Sequence, residues 1–341
     1  MLDKIEVRVP YSAGFQRGFR FFAGEVRYDK ASTPIRRSMH YTGSCDLRPF
    51  GIDAILHMNL KRGKKRRSHK LELLHTGGKS LRQMHELIQR VFCVDPDVLE
   101  LMRVDFASDQ DGVTIAHAYG SVRVKFKRSA NAIGELDYET VGGRRLEYFR
   151  YGKSPNCFRV YDKPAECKAR FPSLLKLSNP DAEPPTFDDL FGFPPDTVKT
   201  RFERQAGGKG IPQVLSRFGQ LRNAADFNPF LKLEIIPNSF PFPDPKVFGV
   251  ARSLKLAGIH SFIERLGFQQ ARATLNCDRN VKRLIDDYSR YLEETRSTSQ
   301  LSVDAILESY RKSVMQQIDG SVENTVRGID GIRPRAPTIA A

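Results

Sequence analysis

Three short stretches carry the residues whose types and spacing could do chemistry: Arg103-Val104-Asp105-Phe106, Phe158-Arg159-Val160-Tyr161-Asp162-Lys163 and Arg201-Phe202-Glu203-Arg204. On a β-strand, side chains at i and i+2 share a face. Phe158 and Val160 therefore point one way, and Arg159, Tyr161 and Lys163 the other. Arg103, Asp105, Ala107 and Asp109 fall opposite Val104 and Phe106, and Arg201 and Glu203 fall opposite Phe202. If the three strands share a sheet, one face is apolar and the other collects a tyrosine, carboxylates and arginines. That inventory suits metal-assisted attack of the Tyr161 oxygen on a phosphodiester. Carboxylates hold a hard divalent cation, and the cation together with Arg159, Lys163 and Arg201 neutralises charge developing on the phosphorane. Three unrelated half-exposed strands with charged outer faces would show the same alternation.

The histidines narrow the choice of metal ligands. The seven, at 40, 57, 69, 75, 85, 117 and 260, include no His-x-His, HExxH or His-Cys grouping, so a histidine-built site has little support. Oxygen ligation by Asp105, Asp109 and Glu203 is expected instead, with magnesium or manganese as the ion. Asp111 and Glu166 lie close in sequence and could assist, although surface acids are their simpler reading. Five cysteines without CxxC pairing argue against a disulfide framework and a zinc ribbon. Gly207-Gly208-Lys209-Gly210 lacks the spacing of a phosphate-binding Walker loop.

The elements that must position these residues are legible from periodicity. Residues 4–10 alternate as a strand, Asp53–Leu60 and Lys70–Leu74 form a strand pair, and residues 100–109 form the first carboxylate strand. Ser80 is placed to cap a helix over Ser80–Val91, and Arg144–Tyr151 with Asn156–Lys163 reads as a hairpin through Gly-Lys-Ser-Pro. Six prolines between Pro172 and Pro195 mark a surface insertion, 172–196, before a strand at 197–205. A helix over Pro212–Ala224 and a strand at Phe230–Ile236 follow.

Beyond the proline-dense Pro237–Pro245 the pattern is helical only. Val281, Leu284, Ile285, Tyr288 and Leu292 make one apolar stripe, and Val303, Ile306, Leu307, Tyr310, Val314 and Ile318 make another, ended by Gly320. The expected class is α+β: a mixed or antiparallel sheet with helices over 1–244, an all-helical C-terminal region over 245–325 and a disordered tail over 326–341. No apolar run approaches the ~18 residues of a membrane span and the N-terminus lacks a signal-peptide pattern, so a cytoplasmic protein with no membrane partner is expected.

Taken in order, the three stretches resemble the replication initiation factor family, the rolling-circle initiators of certain plasmids and filamentous phages. The residues carrying the resemblance are Arg103-Val104-Asp105 with Asp109, Arg159-Val160-Tyr161-Asp162-Lys163-Pro164-Ala165-Glu166, and Arg201-Phe202-Glu203. Glu147-Tyr148-Phe149 with Gly152 matches the family's tyrosine-hydrophobic-glycine hairpin, and the likeness spans residues 100–236. Arg204 departs from it, standing where an apolar residue is usual. The resemblance implies a nuclease-type core in which Tyr161 nicks one strand of single-stranded or supercoiled origin DNA. Tyr161 would become linked to the 5′ phosphate and leave a 3′ hydroxyl as primer, with Asp105 and Glu203 holding the metal. A host helicase and a second copy of the chain stay open as further partners. A non-catalytic DNA-binding protein of a mobile element on the same fold is the competing reading.

Charge points the same way without the resemblance. Lys and Arg outnumber Asp and Glu by 55 to 40, a net charge of +15, which favours a polyanionic partner. The segment 61–70 concentrates it, with Lys61, Arg62, Lys64, Lys65, Arg66, Arg67 and Lys70 and no acid. Such residues contact the phosphate backbone and carry affinity rather than sequence information. Changing Lys64, Lys65, Arg66 and Arg67 to Ala is expected to weaken binding to all DNA sequences. The log–log salt slope should flatten by roughly 0.7–0.9 for each phosphate that is no longer neutralised. An unchanged slope in a salt titration would show that this segment does not touch DNA.

Overall fold

In residues Leu2–Pro10, strand β1, the fully buried Leu2, Ile5, Val7 and Val9 are interleaved with Lys4, Glu6 and Arg8, which share the opposite face. The computed structural model describes residues 1–10, 41–48, 52–60, 68–74, 76–125, 132–136, 145–175, 184–235, 249–266, 279–295 and 300–321. The later strands are β2 (Tyr41–Asp46), β3 (Ala54–Leu60), β4 (Ser68–Leu73), β5 (Glu100–Asp111), β6 (Val122–Val124), β7 (Ala132–Leu136), β8 (Arg145–Lys153), β9 (Asn156–Asp162), β10 (Lys199–Gly207) and β11 (Leu233–Ile235). β1 and eight of these form one sheet in the order β2-β3-β4-β1-β5-β10-β9-β8-β7, with every neighbouring pair antiparallel. β6 and β11 pair separately. The class is thus mixed α/β on an antiparallel sheet, and the three chemistry-bearing stretches occupy its adjacent strands β5, β10 and β9.

The apolar face of the sheet is closed by helices. Helix α1 (Leu81–Val91) begins at Ser80 with a capping box: Gln83 N donates to Ser80 Oγ, and Ser80 N donates to Gln83 Oε1. It buries Met84, Leu87, Ile88 and Val91. Helix α2 (Ile115–Ser121) covers β8, where Tyr119 meets Phe149 edge to face. Helices α3 (Lys163–Leu175) and α4 (Phe187–Phe191) fall within and beside the expected insertion. β9 ends just before Pro164, and α3, which no periodicity in the sequence indicates, begins at once. Pro164 is compatible with both, because a helix's first turn lacks an acceptor for its N–H in any case.

The C-terminal helices are α5 (Val250–Leu266), α6 (Arg279–Thr295) and α7 (Val303–Asp319). Helices α5 and α6 build a small cluster of their own around Leu256, Tyr288 and Tyr291. Helix α7 does not join them: its Ile306, Tyr310 and Val314 belong to the same core as the sheet, so the boundary expected at 244 does not separate this helix from the sheet. Hydrogen bonds reinforce the docking. Ser108 Oγ donates to Ile306 O at 2.8 Å, and Ser309 Oγ donates to Asp109 O at 2.9 Å. Gln317 accepts from Leu2 N at 2.7 Å and donates to Thr76 O at 2.7 Å. A second departure is the expected helix over Pro212–Ala224, replaced by two 3-10 turns, Gln213–Leu215 and Phe218–Asn223. Backbone bonds from Leu101 N to Ser216 O and from Phe218 N to Leu99 O tie this segment to the start of β5 and interrupt a continuous helix.

The segments 61–67, 176–183, 236–248 and 322–341 lie outside the described residues, and with them the basic cluster apart from Lys70, part of the insertion, the Pro237–Pro245 punctuation and the expected tail. The position of Tyr310, fully buried and donating from Oη to Ala224 O at 2.8 Å, makes it the keystone of α7. Tyr310→Ala is expected to lower unfolding free energy by about 3–5 kcal/mol in a urea titration. A loss below about 1 kcal/mol would show that α7 adds nothing to the sheet's stability.

Candidate active site

Strand register lays the charged face out in rows. One row reads Tyr148, Tyr161, Arg201 and Asp109 across β8, β9, β10 and β5; the next reads Arg150, Arg159, Glu203 and Ala107. A third reads Gly152, Cys157, Gln205 and Asp105 and continues to Lys4 on β1. Opposed and diagonal side chains in such rows are in reach of one another. Asp105, Asp109, Arg159, Tyr161, Arg201 and Glu203 therefore share one face, while Val104, Phe106, Val160 and Phe202 fill the core behind it.

Glu203 is the hub. Its Oε2 accepts from Tyr161 Oη at 2.9 Å, and its Oε1 accepts from Gln205 Nε2 at 2.6 Å. Arg159 Nη1 stands 3.5 Å from Oε1, and its guanidinium lies 4.9 Å over the Tyr161 ring. Gln205 is itself oriented by Cys157, whose Sγ donates to its Oε1 at 3.1 Å. Tyr161 is 5% exposed and Glu203 2%. Burial, followed by the neighbouring Glu203 carboxylate, pushes the Tyr161 phenol well above its ordinary pKa, so at neutral pH it is a hydrogen-bond donor.

The other two expected metal ligands part company. Asp105, beside Glu203 on the neighbouring strand, is pushed up to about 7 by burial and by Glu203, against the pull of Arg103. Arg103 Nε donates to its Oδ1 at 2.8 Å and Nη2 to its Oδ2 at 2.5 Å. Asp105 and Glu203, carboxylates on neighbouring strands, are the oxygen donors that could take a divalent cation, and Ala107, across from Glu203, adds no bulk beyond its Cβ. Asp109 does not join them. It binds Arg201 in a fork, Nε to Oδ1 at 2.5 Å and Nη2 to Oδ2 at 2.7 Å, which outweighs burial and holds its pKa low. Arg201 reaches Asp3 as well, at 2.5 Å, so the arginine expected to face a phosphate is held between two carboxylates.

Lys163 and Lys70, the remaining expected site residues among those described, are also committed to partners. Lys163 is buried at the start of α3 and pairs with Glu166 at 2.5 Å. Lys70, assigned to DNA contact, lies within β4 and pairs with Glu6 at 3.0 Å and Glu72 at 3.6 Å, so it serves the sheet rather than the neighbouring basic segment. Arg204, the departure from the apolar pattern, lies with its guanidinium 5.5 Å over Phe158 and donates to Gln205 O.

Sequence reasoning missed Gln205, Asp3 and Arg150. The i+2 step from Glu203 identifies the face of Gln205, and the hairpin alternation that of Arg150; nothing local ties Asp3 to Arg201. It also gave histidine ligation little support. The turn after α1 brings His85 to Asp95 and Asp97, each 3.9 Å from its Nε2, a group that could hold a metal ion. No helix among the described residues is long and apolar enough to cross a membrane. Neither a protein-family model nor a curated protein matches the chain.

Asp105 gives the site a pH signature. Its folded pKa of about 7 lies above the ordinary carboxylate value of 3.8, so between those values the folded state keeps a proton that the unfolded chain has released. Stability contributed through this group therefore falls as pH rises through that window. Asp105→Asn, which cannot ionise, should flatten the fall between about pH 4 and about pH 7 in denaturant titrations. An undiminished pH dependence would show that another group is responsible.

Proposed function

We propose that the protein nicks and rejoins a DNA strand through Tyr161, as a rolling-circle replication initiator acting on a single-stranded or supercoiled origin. The observation that carries this reading is the hydrogen bond from Tyr161 Oη to Glu203 Oε2, with Arg159 over the ring and an antiparallel sheet holding all three. The chain's +15 charge and the order of its three motifs support the same substrate.

In this mechanism Glu203 accepts the phenolic proton as the Tyr161 oxygen bonds to phosphorus. The P–O bond to the upstream sugar breaks, that oxygen takes a proton as a 3′ hydroxyl, and the 5′ phosphate remains esterified to Tyr161. Attack by a 3′ hydroxyl on the phosphotyrosine reverses the sequence and returns the proton to the phenol. Gln205 holds one oxygen of Glu203 so that the other faces the phenol, and Arg159 faces charge developing on the phosphorane. A magnesium or manganese ion on Asp105 and Glu203 supplies further neutralisation of that charge when bound. Asp109 and Arg201 neutralise each other and brace the layer on which Tyr161 stands.

A second reading, a non-catalytic DNA-binding protein of a mobile element on the same fold, is favoured by the 5% exposure of Tyr161 and by the pairing of Asp105 and Asp109 with arginines. Incubation with single-stranded oligonucleotides and magnesium separates the two. Under the first reading the wild type forms a covalent adduct that Tyr161→Phe abolishes while binding is retained, and Glu203→Gln slows nicking at least ~100-fold. Absence of any wild-type adduct under conditions of tight binding supports the second reading. Wild-type adduct yield from the Tyr161→Phe variant moves the nucleophile elsewhere, and full activity in chelator removes the metal.

A further inference from the structure

Arg150 stands out on the charged face. Phe149 and Tyr151 on either side of it in β8 lie in the core, so Arg150 projects from the opposite face with Tyr148. Register places it directly across from Arg159, and Tyr148 directly across from Tyr161. Like charges opposed across two strands destabilise a sheet unless something neutralises them.

Neighbouring cations on this face are all neutralised. Arg103 is paired with Asp105, Arg201 with Asp109 and Asp3, Lys4 with Glu6 and Glu72, and Lys163 with Glu166. Among the described residues Arg159 pairs only with Glu203, at 3.5 Å, and that carboxylate already accepts from Tyr161 and Gln205. Arg150 makes no ion pair among the described residues, and its buried Nε has no hydrogen-bond partner. Of the two opposed guanidinia only Arg159 meets a carboxylate among the described residues, and Arg150 keeps a desolvated N–H without an acceptor, an arrangement that is unfavourable until an acceptor is supplied.

The acceptor that fits is a tetrahedral oxyanion. Planar guanidinium groups match phosphate in two-point contacts, and adjacent aromatic rings provide the surface on which a single strand's bases or sugars rest. Tyr148, half-buried and across from Tyr161, supplies such a ring in the next row. We infer that Arg150 and Arg159 form a cradle for a backbone phosphodiester of a single-stranded nucleic acid, beside the Tyr161 phenol. Only the identity of that group as the scissile phosphate rests on the nicking reading; the cradle itself serves either reading.

The test compares full-length wild type, Arg150→Met and Arg150→Lys by thermal melting and by equilibrium binding of a fluorescent single-stranded oligonucleotide across a salt series. Methionine keeps the aliphatic stem and removes the charge. Arg150→Met is expected to weaken binding roughly tenfold at low salt and to reduce the log–log salt slope by about 0.7, the value for one neutralised phosphate on a single strand. Its melting temperature should stay level or rise, because the opposed charges are relieved. Arg150→Lys should recover the slope and only part of the affinity. An oligonucleotide with neutral methylphosphonate linkages should not distinguish wild type from Arg150→Met.

Unchanged affinity and slope in Arg150→Met would overturn the inference, as would a lowered melting temperature, which would make Arg150 a structural residue. Displacement of the oligonucleotide by inorganic phosphate at matched ionic strength would reassign the cradle to a free anion. Weakened binding by Arg150→Met without any Tyr161 adduct in the wild type leaves the cradle standing and removes the nicking reading. Adduct formation with unimpaired binding by Arg150→Met does the reverse.

Discussion

Charge on a largely buried sheet face is best neutralised within its own layer, because little water reaches it to do so. That constraint orders the surface formed by β1, β5, β10 and β9. Arg201 is 4% exposed and is held by Asp109 on one side and Asp3 on the other, which links the first residues of the chain to β5 and β10. Removing either acid would leave a guanidinium short of a partner in a poorly hydrated layer, the circumstance in which breaking an ion pair is most destabilising. Arg103 and Asp105, two residues apart on β5, satisfy each other in the same way. The pairing explains why the carboxylates do not converge as a three-ligand cluster: one of them is needed by Arg201.

The opposite face obeys a simpler rule. Apolar side chains from all the central strands need a cover, and α7 supplies part of it from the far end of the chain. Its Ser309 reaches the backbone of Asp109, so the helix that closes the core also touches the strand that bears the acids. Sheet, cover and charged layer are therefore mechanically continuous. A helix that looks like an appendage by chain position is part of the platform on which Tyr161 stands.

Within that platform the Tyr161–Glu203 pair is chemically distinct from the ion pairs around it. A phenol whose proton is held tightly by burial has little nucleophilic character until the proton leaves, and the nearest acceptor is a carboxylate oriented from its other side by Gln205. Asp105, with a pKa near neutrality, sits one row away and makes the local charge sensitive to pH. Arg150 and Arg159 leave the same corner with excess positive charge. Proton acceptor, titratable acid and the unpaired Arg150 meet at one place on a face whose neighbouring described cations are paired.

Much of this was legible in the residues alone. Alternation over two residues is a local property, so the faces of Asp105, Tyr161 and Glu203, the capped helix after Ser80 and the two apolar stripes near the C-terminus followed from spacing. Gln205 and Arg150 were readable by the same rule once their strands were assigned. Register and long-range packing are not local. They decided that Asp109 serves Arg201, that Asp3 completes that pair, that Lys70 is bound by Glu6 and Glu72, that His85 meets Asp95 and Asp97, and that α7 covers the sheet. A single strand specifies which way a side chain points; only the assembled sheet specifies what it meets, because cross-strand partners are set by hydrogen-bond register and by the burial of the apolar face behind them.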